Sequence, residues 1–110
     1  FVISIISSCS KSNVEPILSI SNTITTNGLN FTPSVLNCSV GDTIFFELGS
    51  SHNAIEVSEA DYIANSPTPL ENGFQFGFGA SSFLIVDEAK TFYYVCAPHL
   101  PQMKARIIAE

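Results

Sequence analysis

At 110 residues, with 45% hydrophobic and 11% aromatic content, the chain has enough apolar material for one packed domain and too little length for two. Its formal net charge of −6 argues against a nucleic-acid function, since phosphates demand Lys and Arg, and favours a basic partner if charge guides docking. No run approaches the roughly twenty apolar residues that a membrane-spanning helix needs.

The first residues, "FVISIISSCSKS", are an apolar run ending in Ile6-Ser7-Ser8-Cys9. An aliphatic residue, two small ones and then Cys resembles the lipobox of a bacterial lipoprotein signal, cut before the Cys that receives the lipid. On this reading residues 1–8 are a signal remnant and Cys9 carries the lipid, while residues 9–16 form a polar tether and residues 17–110 the single domain. The protein is then exported to the periplasm or cell envelope and meets the membrane only through its lipid anchor. The alternative is a first β-strand ending in an ordinary Cys.

Short apolar runs follow, punctuated by Gly, Pro, Ser, Thr and Asn, and they read as strands. The first is "ILSISNTIT" (17–25). Next comes "LNFTPSVLNCSV" (29–40), in which Leu36, Cys38 and Val40 alternate as a buried face, making Cys38 a small core residue. Gly41-Asp42 turns the chain into "TIFFEL" (43–48), and the Gly49-Ser50-Ser51 turn leads to "HNAIEV" (52–57). Ser58, with Asp61 three residues later, predicts a capped short helix over Glu59–Asn65, ended by Ser66-Pro67. The remaining strands are "FQFGFG" (74–79), "SSFLIV" (81–86), "TFYYVC" (91–96) and "KARIIAE" (104–110). Strands at roughly ten-residue spacing point to an all-β antiparallel sandwich or barrel, and the fold expected is a Greek-key β-sandwich with one short helix or irregular loop between about Glu59 and Glu71.

The chemistry concentrates in "TFYYVCAPHLPQMKARI", residues 91–107. One of two His, the only Met and one of three Cys fall within the eight residues from Cys96 to Met103. Cys-x2-His-x3-Met places three donor groups on one loop between two strands, and His52 stands at the head of its own strand. One Cys, two His and a thioether make the donor set of a blue-copper electron-transfer site. Soft sulfur favours Cu(I) and imidazole suits Cu(II), so neither oxidation state is strongly preferred.

"SVGDTIFFELGSSHNAIEV" and "FYYVCAPHLPQMKARIIAE" together resemble a small cupredoxin of the bacterial plastocyanin and phytocyanin type, over residues 28–110. The resemblance implies one copper per chain, with His52, Cys96 and His99 as a trigonal plane and Met103 as the weak axial ligand. It also implies that Asn53 pins the two ligand loops together by hydrogen bonds. Only Leu100, Pro101 and Gln102 separate His99 from Met103, where many such sequences have four residues. Gln102 or a backbone carbonyl is the alternative axial donor. His99 is then the ligand nearest the surface, and Pro98, Leu100 and Pro101 form an apolar patch through which electrons enter and leave.

Structural zinc needs paired Cys and His motifs that are missing here. A Cys96–His99 nucleophile lacks an obvious orienting carboxylate, so no enzymatic role is expected. The predicted function is one-electron transfer by a monomer between transient redox partners, such as a cytochrome or copper oxidase. The alternative is a copper carrier or a binding module without redox work. Glu56, Glu59, Asp61, Glu71, Asp87 and Glu88 form the acidic surface that steers a basic partner or is merely solvated.

Overall fold

The structure, a computed structural model, describes residues 22–110. The signal, Cys9 and tether lie outside the described residues, as does most of the first predicted strand. Strand β1 (Thr23–Asn27) turns into β2 (Asn30–Thr32) through a two-residue loop that opens with Gly28 at φ +63°. A side chain is disfavoured at that position, and glycine there matches the twist of a hairpin. Strands β3 (Val35–Cys38), β4 (Thr43–Glu47) and β5 (Ala54–Val57) follow, then helix α1 (Glu59–Ala64). Strands β6 (Gln75–Phe76), β7 (Ser81–Ile85), β8 (Thr91–Val95) and β9 (Lys104–Ala109) complete the chain, with a 3-10 turn at Ala97–His99.

The strands build two sheets, of order β3-β9-β8-β5-β6 and β2-β1-β4-β7. Alternation along each strand aims one set of side chains between them. Ile24, Ile44 and Phe46 of one sheet face Leu36, Phe92, Tyr94, Ala105 and Ile107 of the other, and all are buried. Aromatic rings bridge the sheets. Tyr94 stands edge-on to Phe31 at 4.8 Å and to Phe46 at 5.6 Å. Each such large side chain contributes about 1.5–3 kcal/mol through burial. The all-β sandwich with one short helix is therefore the fold the pattern predicts.

Three details differ. The sandwich is mixed, because β9 runs parallel to β3 and β1 runs parallel to β4. The predicted 29–40 strand is two strands belonging to opposite sheets. Pro33, without an N–H to donate, sits where the chain changes sheet. The predicted 74–79 strand keeps only Gln75–Phe76, since Gly77 and Gly79 lead into a turn.

Cys38 is half-buried at the edge of the core, but Val40 is 48% exposed and leaves the alternation. The strand has already ended there: the Ser39 N–H donates to the Asp42 carboxylate at 2.9 Å, closing a turn. The helix forms as expected, with the Ser58 hydroxyl accepting from the Asp61 N–H at 3.1 Å. Left-handed Asn65, one residue before Ser66-Pro67, ends it.

Candidate metal centre

Antiparallel neighbours place the start of one strand beside the end of the next, and that rule assembles the site. Strand β8 pairs antiparallel with both β5 and β9, with Val95 opposite Ile55 on one side and Lys104 on the other. His52 precedes β5, Cys96 follows β8 and Met103 precedes β9, so all three arrive at one end of the sandwich. The 3-10 turn then folds His99 back beside Cys96, its N–H donating to the Cys96 carbonyl at 3.1 Å. Pro98 occupies the start of that turn, where a missing N–H costs little.

Three of the four predicted donors converge. His52 Nδ1 lies 3.2 Å from His99 Nδ1, and Cys96 Sγ lies 3.2 Å from His99 Nδ1 and 3.8 Å from His52 Nδ1. A point in the plane of these atoms is about 2.0 Å from each, which is the length of a metal–imidazole bond. Two imidazoles and a thiol directed at one point are the chemistry of a cation site. The donor set fits a borderline-soft transition metal rather than calcium or magnesium, which take oxygen.

Met103 is fully buried, its N–H donating to the His99 carbonyl at 3.0 Å and its carbonyl accepting from the Cys96 N–H at 2.9 Å. Gln102, the competing axial donor, is exposed. The Asn53 side-chain oxygen accepts from the Ala97 N–H at 2.9 Å, so the His52 loop and the Cys96 loop are tied as the resemblance implies. Burial pushes the Cys96 thiol up, while backbone N–H groups of Asn53 and His99 pull it down. Desolvation is the larger effect, so the neutral thiol is favoured until a metal displaces its proton.

Around this end, Pro98 and Pro101 are exposed, while Leu100 and the His99 ring are half-buried. The acidic surface needs one correction. Glu56 is only 3% exposed, accepts from the Phe74 N–H at 3.1 Å and pairs with Lys90 at 3.0 Å. It lies on the core-facing side of β5 beside buried Ala54, and so cannot steer a partner. Glu59, Glu71, Asp87 and Glu88 are exposed, and Asp61 is half-buried. Sequence reasoning missed Thr26, whose hydroxyl accepts from the Gly49 N–H at 2.9 Å. No local pattern signals a contact between residues so far apart in the chain.

The comparisons agree with this geometry. A family model described as copper binding proteins of the plastocyanin/azurin family matches residues 18–110. Halocyanin of Natronomonas pharaonis is 33% identical over 88 residues, covering 76% of this chain and 50% of its own length. The chain thus spans about half the length of that relative. Among solved structures, a reduced amicyanin variant superposes with a TM-score of 0.59 at 20% identity, covering 80% of each chain. Pseudoazurin from Methylobacterium extorquens AM1 gives 0.61 at 17% identity, over 79% of this chain and 72% of its own. A copper-containing nitrite reductase from Thermus scotoductus gives 0.58 at 23% identity, but this chain covers only 22% of it. These three likenesses establish the fold, and the enzyme among them matches over a small part of its length. Family match and donor geometry together make copper the cofactor, and the chain belongs to the copper-binding proteins of the plastocyanin/azurin family.

Proposed function

We propose that the protein is a one-electron carrier whose copper is held by His52, Cys96 and His99, with Met103 as the axial ligand. The observation that supports it most is the convergence of two Nδ1 atoms and one Sγ at 3.2–3.8 Å. When bound, copper supplies the Cu(I)/Cu(II) couple; the chain's residues supply everything else. His52 and Cys96 are buried and keep water from the donors, while half-buried His99 gives the centre its contact with the surface. Asn53 fixes the spacing between the two loops, so neither has to move when the charge of the site changes. Full burial supports Met103 over exposed Gln102 for the axial place.

Pro98, Leu100 and Pro101 provide a small apolar surface around His99 for brief docking of a redox protein such as a cytochrome or copper oxidase. Electron-transfer complexes occupy the small end of interface sizes, which suits a short-lived, monomeric encounter. In the same proposal residues 1–8 are a signal remnant, Cys9 carries a lipid and residues 9–16 are the tether of an exported domain. Globomycin, which blocks lipoprotein signal cleavage, is expected to trap a larger precursor of the full-length protein. The absence of a trapped precursor would count against lipidation at Cys9.

The decisive experiment on the site is a Cu(II) titration of the apoprotein followed by visible absorption and electron paramagnetic resonance. An intense thiolate-to-copper band that saturates at one copper per chain and is bleached by ascorbate is the expected result. Copper bound without such a band points instead to a carrier or a binding module.

A further inference from the structure

The loop that delivers His52 is held from the opposite sheet. Thr26 lies on β1 of the four-stranded sheet, whereas His52 leads into β5 of the five-stranded one. The Gly49 N–H donates to the Thr26 hydroxyl at 2.9 Å across 23 residues of sequence. A Cβ added to Gly49 would meet Thr26 Oγ1 at 2.9 Å and His52 Cδ2 at 3.2 Å. Hydroxyl, glycine and imidazole therefore occupy one packed stack, and space rather than backbone strain makes residue 49 a glycine. The Gly49 carbonyl in turn accepts from the N–H groups of His52 and Gly79, both at 3.1 Å, and Gly79 also donates to the His52 carbonyl at 3.1 Å.

We propose that Thr26 is a positioning residue for His52, setting the place of the imidazole at the metal centre through Gly49. The proposal rests on the reading of His52 as a ligand. Asn53 ties the chain on the far side of His52 to Ala97, and Thr26 ties it on the near side through Gly49. A residue anchored fore and aft presents its ring in one orientation, which is what a site that changes charge without rearranging requires. No other side-chain acceptor for the Gly49 N–H exists among the described residues.

The test uses Thr26→Val, which keeps the branched shape and removes the acceptor, and Thr26→Ser, which keeps the hydroxyl. Two readouts are taken: amide hydrogen exchange at Gly49 in the apoprotein, and the electron paramagnetic resonance spectrum of the copper-loaded protein. Thr26→Val is expected to speed Gly49 exchange about tenfold and to change the copper hyperfine splitting. Thr26→Ser is expected to restore both, and Gly49→Ala, which crowds the same ring, to shift the spectrum as Thr26→Val does. Wild-type exchange and spectrum in Thr26→Val overturn the proposal, as does a Thr26→Ser protein that behaves like the valine variant. Should Thr26→Val fail to fold, the serine and alanine variants decide by the same criteria. A wild-type protein without a thiolate-to-copper band would sink the ligand reading of His52, and the exchange data would then show the clamp as loop anchoring alone.

Discussion

Cys96, Met103 and Tyr94 stand within ten residues and play three separable parts. Cys96→Ala removes the thiolate and is expected to abolish the blue band while the apoprotein still folds, because the core is built by the two sheets. Unfolding of that variant, read by circular dichroism, would make the metal structural. Met103→Leu keeps the buried volume and is expected to retain copper and raise the reduction potential, since the axial donor tunes it. An unchanged potential by voltammetry would remove Met103 from the ligand set. Tyr94 has a fully buried hydroxyl with no hydrogen-bond partner among the described residues. Burial pushes its pKa far above the usual tyrosine value of 10.0, with Tyr62 a lesser cause. Above pH 10 the unfolded chain therefore releases a proton that the folded chain keeps, and stability falls as pH rises. Tyr94→Phe is expected to stabilise the apoprotein by about 1 kcal/mol at neutral pH and to flatten that alkaline fall. Melting curves from pH 7 to 11 check both.

The central elements are β5 and β8, each with a ligand at its metal-proximal end. Behind β5, the Glu56–Lys90 pair ties that strand to the segment joining β7 and β8. The Glu56 backbone binds the next loop as well, its carbonyl accepting from Leu70 at 2.8 Å and its N–H donating to Phe74 at 2.9 Å. Lys90→Met leaves a buried carboxylate with one remaining donor. The cost is expected at about 2 kcal/mol, below that of a fully buried pair, because the Lys90 side chain is 32% exposed. Adding Glu56→Gln is expected to recover part of the loss in a double-mutant cycle. Additive losses in urea titrations would show that the two side chains are not coupled.

Across the whole molecule the charge is −6, and two of the four cations are engaged internally. Lys90 is paired with Glu56, and Lys104 donates to the Tyr62 carbonyl at 2.6 Å and to the Asn65 amide oxygen at 2.8 Å. Exposed Glu47, Glu59, Glu71, Asp87, Glu88 and Glu110 set the outward field of the described residues. With a basic redox partner, the second-order rate constant is expected to fall about tenfold as ionic strength rises from about 0.01 to 0.15 M. A flat profile in stopped-flow traces would mark the acidic surface as merely solvated.

Much of this was legible in the sequence because it is local. Alternating apolar residues dictate strands, Ser58 and Asp61 dictate the helix start, and Cys96, His99 and Met103 share one short loop. His52 and Asn53 were reachable through their pairing with the strand behind them. Decisions involving distant partners belong to the tertiary structure. The chain changes sheet at Pro33, the parallel pairings of β9 with β3 and β1 with β4 make the sandwich mixed, and Glu56 turns inward where Lys90 and the Phe74 N–H receive it. Thr26 reaches Gly49 only once two sheets are stacked. Sequence fixes which side chains prefer burial and which atoms bind metal, since both are properties of the residue. Which polar groups meet depends on how the sheets pack, and no local pattern encodes that.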